Sequence, residues 1–160
     1  AIWDDSTYIP LDYRLHFCDG EDVFEAGGIK TMIERLQPSF ERIGCKIDLT
    51  EYYEEWDEKN QWINQSLTIN GVKHVIYEDS QIQAGNGWGV SPMKLAEILN
   101  DELSKQGLDE QVYLVSGGND GFLIFLTPQL YDYIDQVLTD EESKPQEISK
   151  WANLMGLEDF

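Results

Sequence analysis

The chain has 160 residues, 41% of them hydrophobic and 12% aromatic, which suits one folded domain spanning residues 1–160. Eleven basic and thirty-one acidic residues give a net charge of −20. This charge repels nucleic-acid phosphates and anionic membranes, so neither is expected as a partner. No apolar run approaches the roughly 18 residues that cross a bilayer, and the first residues given lack the character of a signal peptide.

A strand and a helix are predicted in the first part of the chain. Residues 13–18 alternate and are rich in β-forming side chains, which predicts a strand, and residues 19–22 are typical of a turn. Apolar residues at helical spacing then predict a helix over residues 29–43. Pro38 is expected to kink or split this helix, and Gly44 to end it.

The segment EYYEEWDE, residues 51–58, continues a second predicted strand that begins at Cys45. Strand alternation divides its side chains between two faces, with Glu51, Tyr53 and Glu55 on one and Tyr52, Glu54 and Trp56 on the other. Neither face is cleanly apolar. The segment is therefore predicted to lie at the edge of a sheet or to project beyond it.

The middle of the chain predicts a hairpin, a loop and a helix. Asn70-Gly71 lies between two β-rich runs and indicates a two-residue turn, because both residues of such a turn need a positive φ. Residues 84–89 are rich in glycine and predict a flexible loop. Ser91-Pro92 is expected to begin the next helix, with serine as the N-cap and proline in the first turn, and Gly107 to end it.

The last third predicts two strands and two helices. Residues 111–115 and 122–126 are almost continuously apolar, which favours strands buried on both faces. Thr127-Pro128 repeats the cap-and-proline start, and a final helix is expected from Pro145. Hairpins outnumber parallel crossovers in this order. The predicted fold is therefore α+β, a mainly antiparallel sheet of about five strands with helices packed on one face.

Few residues suit catalysis or metal binding. His16 and Cys18 lie two apart on a strand and share a face, so they are either a candidate activated thiolate or two ordinary sheet residues. The nucleophile elbow and the phosphate-binding glycine loops are absent, and two histidines with two isolated cysteines match no zinc motif. We therefore predict no catalytic residue, no metal site and no cofactor.

Cys18 and Cys45 are too few for a disulfide framework. Reduced, mostly buried thiols in a cytoplasmic protein are expected. A single bridge between neighbouring strands is the alternative.

The composition favours binding to another protein. A strongly negative surface attracts cationic partners, and exposed tyrosine and tryptophan carry binding energy at interfaces. The alternative is a solvated edge that serves solubility, with its aromatic rings folded back. The candidate residues for contact with a basic protein are Glu51, Tyr52, Tyr53, Glu54, Glu55, Trp56, Asp57, Glu58, Trp62 and Trp88.

The stretch VYLVSGGNDGFLIFLTP, residues 112–128, with the Asn-Gly hairpin before it, resembles bacterial proteins associated with toxin–immunity loci. A small, strongly acidic α+β protein without a catalytic motif also resembles immunity proteins in type. The resemblance implies a cytoplasmic inhibitor that neutralises a cognate toxin, often a basic nuclease, by stoichiometric occlusion. It assigns no site residues, because no family motif is matched.

Two other functions stay open at this point. One is a small cytoplasmic enzyme that uses acidic groups or Cys18, with the loop at residues 85–89 over a pocket. The other is a regulatory or scaffold module whose acidity is incidental.

Overall fold

A computed structural model describes residues 12–81, 86–157 and 159–160. The strands are β1 (Leu15–Phe17), β2 (Leu49–Asp57), β3 (Trp62–Ile69), β4 (Val72–Gln81), β5 (Gln111–Val115) and β6 (Phe122–Leu126). The helices are α1 (Gly20–Phe24), α2 (Gly28–Ile43), α3 (Asn86–Lys105), α4 (Pro128–Val137) and α5 (Ile148–Leu154). None of the helices in these ranges combines the length and the apolar character that a membrane crossing requires.

The strands form two three-stranded sheets, ordered β1-β6-β5 and β2-β3-β4, and every neighbouring pair is antiparallel. The predicted α+β class and antiparallel pairing are confirmed, whereas the prediction of one sheet of about five strands is wrong. The reason is local connectivity. β2, β3 and β4 follow one another through short turns and pair as a meander, while α2 and α3 separate them along the chain from the other three strands.

One core of buried side chains includes residues from both sheets and from α2 and α3. Phe40 of α2 meets Phe125 of β6 edge to face, with ring centroids 5.9 Å apart, and both side chains are fully buried. Cys18 and Cys45 also lie in this core as free thiols. The prediction of unpaired, buried cysteines is therefore confirmed.

Two backbone turns and one helix cap follow the sequence prediction. Asn70 and Gly71 have φ angles of 51° and 80° and join β3 to β4 as a tight hairpin. Gly44 takes a φ of 85° and donates its N–H to the carbonyl of Phe40, which ends α2. Thr127 caps α4 by accepting a hydrogen bond from the N–H of Leu130.

Other local predictions are wrong. Residues 19–22 do not form a simple turn, because Asp19 accepts from the N–H of Glu21 and begins α1. α2 continues across Pro38 without a break, so of the expected kink or split the split is wrong. Residues 84 and 85 of the expected loop lie outside the described residues, but α3 already begins at Asn86, upstream of the predicted start at Ser91-Pro92.

Pro92 lies inside α3, although proline has no backbone N–H to donate to the helix. In a helix that N–H would bond the carbonyl of Trp88, four residues earlier. The Trp88 carbonyl instead lies against Gly20 of α1, so closely that a Cβ at Gly20 would overlap its oxygen. The absence of a side chain at Gly20 therefore sets how closely α1 and α3 approach each other.

β6 is the central strand of its sheet, but it is not buried on both faces as predicted. Leu123 and Phe125 are fully buried, whereas the alternate residues Phe122 and Ile124 are partly exposed. β5 carries a further backbone bridge, in which Leu114 and Gln146 each donate an N–H to the carbonyl of the other.

Replacing Gly20 by alanine is expected to lower the free energy of unfolding by about 1–3 kcal/mol, because the added methyl group forces α1 away from α3. Urea denaturation at 25 °C measures the change. Glu25→Ala, at the exposed end of α1, is the matched control and should shift stability by less than about 0.5 kcal/mol. Equal stability of Gly20→Ala and wild type would contradict the close approach.

Candidate protein-binding surface

The acidic segment lies on an edge strand, as its mixed faces predicted. β2 pairs with β3 on one side, and in the described residues no strand pairs with its other side. Residues 51–57 belong to β2, and Glu58 begins the turn that leads to β3. The segment therefore presents two side-chain faces and one unpaired backbone edge.

The two faces of β2 differ in burial. Tyr52 and Glu54 are half-buried and lie opposite Leu67 and Gln65 of β3, whose side chains are buried. Residues 51, 53 and 55 are exposed. The predicted alternation is thus correct, and it places one half of the segment inward and the other half outward.

Glu54 anchors the inward half. Its Oε2 accepts from the N–H of Gly27 at 2.9 Å and from the hydroxyl of Tyr52 at 3.1 Å, and its Oε1 accepts from Nε1 of Trp56 at 2.7 Å. Gln65 in turn donates to the Tyr52 hydroxyl at 2.8 Å. These bonds attach β2 to the connection between α1 and α2, so Glu54 has a structural task.

Trp56 and Tyr52 share this inward environment. The Trp56 ring packs edge to face on Phe24 of α1, with centroids 5.4 Å apart, although 37% of the residue stays exposed. Burial is the main cause that raises the pKa of Tyr52 to about 12. Both residues therefore support the fold, although Trp56 keeps an exposed fraction close to that of Trp62.

The outward half forms a surface that we call the outer patch, made of Glu51, Tyr53, Glu55, Asp57, Trp62 and Val75. Tyr53 is 54% exposed, Val75 52% and Trp62 41%. Tyr53 lies opposite Ser66, which lies opposite Val75, so the three residues form one row across the sheet. Asp57 lies opposite Trp62. Acids and exposed apolar groups are thus interleaved on one sheet face.

The acids of the outer patch have neutral partners. Glu51 accepts from the hydroxyl of Thr68 at 3.0 Å and Glu55 from the hydroxyl of Tyr53 at 2.8 Å. Asp57 accepts from the backbone and side chain of Asn60, which lowers the pKa of its carboxyl and keeps it charged. Among the described residues, no cation forms an ion pair with any acid of the 51–58 segment.

Acids elsewhere do find cations within the chain. Arg14 pairs with Glu110 at 2.6 Å, and Glu141 receives the ammonium groups of both Lys144 and Lys150 at 2.8 Å. Most acids of the described residues form no ion pair, so what sets the outer patch apart is the exposed Tyr53, Trp62 and Val75 among its acids.

The structure brings together only part of the predicted site. Trp88 belongs to α3, and no contact described for it reaches β2. Sequence reasoning missed Val75, although the two-residue hairpin fixes its pairing with Ser66. The predicted residues therefore divide into an outer group of Glu51, Tyr53, Glu55, Asp57 and Trp62, an inner group of Tyr52, Glu54 and Trp56, and the outlying Glu58 and Trp88.

A second apolar surface lies beside α4. None of the α4 residues is buried, and Val137 and Leu138 are exposed. Between α4 and the outer side of the β1-β6-β5 sheet lies a groove of about 430 Å³. Its lining includes Leu15, Ile124 and Tyr133 and carries no charged side chain among the described residues.

The thiol-enzyme alternative finds little support in the geometry. Nε2 of His16 contacts the carbonyl of Tyr13 at 3.0 Å and the hydroxyl of Ser39 at 2.7 Å, and in the described residues it has no bond to Cys18. Burial raises the pKa of the Cys18 thiol to about 12 and lowers the pKa of His16. An activated thiolate needs the opposite shift at the cysteine.

A cavity of about 270 Å³ lies beside Gly87, near the loop proposed to cover an enzyme pocket. Its described lining includes Phe24 and Tyr77, with Glu78 as the one acidic side chain. Two convergent carboxylates, the arrangement expected for acid–base chemistry, are not found in that lining.

No protein-family model, curated protein or solved structure matches the chain. The resemblance of residues 112–128 to proteins of toxin–immunity loci therefore stays a prediction. In the fold this stretch supplies β5, a 3₁₀ turn at Gly118–Asp120 and β6, whose side chains largely pack the core. Its function has to be inferred from the surface chemistry.

Glu54→Gln is expected to lower the free energy of unfolding by about 1–3 kcal/mol, because an amide cannot accept from all three donors that the carboxylate satisfies. Glu55→Gln removes the same charge from the next residue, where only the exposed Tyr53 hydroxyl is bonded, and should change stability by less than about 0.5 kcal/mol. Urea denaturation of the two variants makes the comparison, and equal losses would refute the anchoring role.

Cys18 should resist thiol reagents in the native protein. A pKa of about 12 leaves a thiolate fraction about a thousandfold below that of an ordinary thiol at pH 8. Ellman's reagent is expected to label Cys18 and Cys45 only after unfolding in guanidinium. Ser104→Cys, which adds an exposed thiol on α3, serves as a positive control. Labelling of Cys18 in the folded protein at the rate of the control thiol would instead support the thiol-enzyme alternative.

Proposed function

We propose that this protein binds a basic protein partner through the outer patch, and that the partner is a bacterial toxin which it neutralises in the cytoplasm by occlusion. The observation that carries the binding proposal is the row of exposed Tyr53 and Val75, beside Trp62, among acids that form no ion pair within the described residues. The toxin follows from the resemblance of residues 112–128.

Each component of the patch has a separate physical task. The net charge of −20 accelerates the encounter with a cationic surface at low ionic strength. Glu51, Glu55 and Asp57 select a partner of opposite charge, while Tyr53 and Trp62 supply apolar area that is desolvated on contact. A stable complex buries roughly 1,200–2,000 Å² in total. The outer patch would therefore form the centre of a larger interface.

The toxin hypothesis adds a mechanism to this binding. A nuclease holds its substrate phosphates with lysine and arginine side chains. Carboxylates placed at phosphate spacing occupy the same cations and exclude the substrate. The unpaired edge of β2 gives a partner strand a further route to attach, through backbone hydrogen bonds.

The test uses the purified product of the gene next to this one, as the candidate toxin, in binding and growth assays. Co-expression should restore growth of cells that the candidate toxin arrests. Tyr53→Ala should weaken binding by about thirtyfold, because truncation of an interface anchor removes about 2 kcal/mol. Glu55→Lys should slow association and flatten its dependence on salt.

Asp109→Lys is the matched control for charge, since it reverses an exposed acid outside the patch and should leave the complex intact. Poly-lysine is the control for attraction by charge alone, and Tyr53→Ala should bind it like wild type. A complex insensitive to both Tyr53→Ala and Glu55→Lys overturns the patch. A harmless neighbour that binds through the patch overturns only the toxin hypothesis.

A further inference from the structure

His74 of β4 approaches Asp101 and Glu102 of α3 on the inner side of the β2-β3-β4 sheet. One ligand atom from each of the three side chains lies within 4.8 Å of the other two. His74 is opposite Leu67, whose side chain is fully buried, so its ring faces the core side of the sheet. The cluster lies on the opposite face of the β2-β3-β4 sheet from the outer patch.

Two polar atoms of this cluster are buried without a hydrogen bond. Glu102 is only 3% exposed, and its Oε1 has no donor. Nε2 of His74 is likewise buried and unpartnered. An unsatisfied buried polar group destabilises a fold, and more so when it is charged. Both atoms belong to side chains of one cluster, so a cation bound there would satisfy both.

The other oxygen of Glu102 is firmly held. Oε2 accepts from Nδ2 of Asn70 at 2.8 Å and from Nε2 of Gln106 at 3.4 Å. The backbone N–H of Asp48 donates to the side-chain oxygen of the same Asn70. These bonds orient the carboxylate and leave Oε1 free, as second-layer bonds do around metal ligands.

A cation already approaches the cluster from outside. Nζ of Lys105 lies 2.5 Å from Oδ2 of Asp101 and 3.8 Å from Oε1 of Glu102. The second distance is too long for a hydrogen bond, so Lys105 neutralises charge without satisfying Glu102. Among the described residues, no ion pair joins His74 to either carboxylate.

We propose that His74, Asp101 and Glu102 form a binding site for a divalent first-row transition metal, with Zn²⁺ as the best match. Imidazole nitrogen with carboxylate oxygen is a ligand set for zinc and its neighbours, whereas Mg²⁺ and Ca²⁺ prefer oxygen alone. Ligand bonds of about 2.0–2.1 Å require each side chain to move inward by about 1 Å or less.

The site joins elements that are distant in the sequence. His74 follows the Asn70-Gly71 turn, and both carboxylates lie near the C-terminal end of α3. A metal here cross-links the β3–β4 hairpin to the helix beneath it. The sequence predicted no metal site because no local motif marks these residues. Three protein ligands leave a fourth position for water or for a group of a bound partner.

Isothermal titration of chelator-treated protein with Zn²⁺ tests the site. We expect one ion per chain, and a melting temperature raised by about 5–10 °C at free metal a hundred times above Kd. His74→Gln and Glu102→Gln should each weaken binding at least about tenfold. Glu97→Gln, which removes an exposed acid from the same helix, is the control and should bind like wild type.

The Lys105→Met variant distinguishes a metal-binding site from a cluster that is only structural. Removing the competing ammonium should tighten Zn²⁺ binding several-fold, although the substitution adds no ligand. Co²⁺ provides a direct readout, because the chain has only two histidines, whose ring protons can be followed by NMR. Co²⁺ should shift the His74 signals and leave those of His16 in place.

The outcomes decide the proposal even if a ligand variant fails to fold, which circular dichroism would reveal. Binding of several ions per chain, with the same affinity in folded His74→Gln as in wild type, would overturn the site. So would Co²⁺ shifts at His16 or at neither histidine, or a Lys105→Met variant that binds Zn²⁺ more weakly than wild type.

Discussion

The carboxylate of Glu54 fixes which side of β2 faces solvent. It takes hydrogen bonds from a backbone N–H, a tyrosine hydroxyl and an indole N–H, which together satisfy a charged group that is half-buried. Because side chains alternate along a strand, holding Glu54 inward turns Tyr53 and Glu55 outward. A shift of one residue in register would bury the outer patch and expose its anchor, so the exposure of Tyr53 and Glu55 depends on the register that Glu54 helps to hold.

Net charge and local charge have different meanings in this protein. The −20 total belongs to the whole chain and attracts any cationic surface. The acids of β2 form no ion pair within the described residues and lie beside the exposed Tyr53 and Trp62, whereas Glu110, Glu141 and Asp101 bind cations of the same chain. Specific recognition requires the second property, because a charge already paired within the fold gains little from a partner.

Local patterns predicted much of the fold, and long-range pairing accounts for what they missed. The alternation in β2, the Asn70-Gly71 hairpin and the Thr127 cap depend on neighbouring residues and were predicted correctly. The β2–β3 register was hidden, because Gln61 takes a positive φ of 57° in the connecting turn without a glycine to mark it. Tyr53 could therefore not be aligned with Val75. The helical position of Pro92 and the meeting of His74 with Glu102 likewise depend on tertiary packing.

The unpaired edge of β2 has a consequence for how copies of the protein behave toward one another. An open strand edge is a template for a second copy, and two identical edges would place like charges side by side. Repulsion acts within a screening length of about 8 Å at physiological ionic strength, so it opposes pairing only at near contact. The acids proposed to attract a cationic partner would thus also oppose self-association along this edge, and high salt or acidification would remove both effects together.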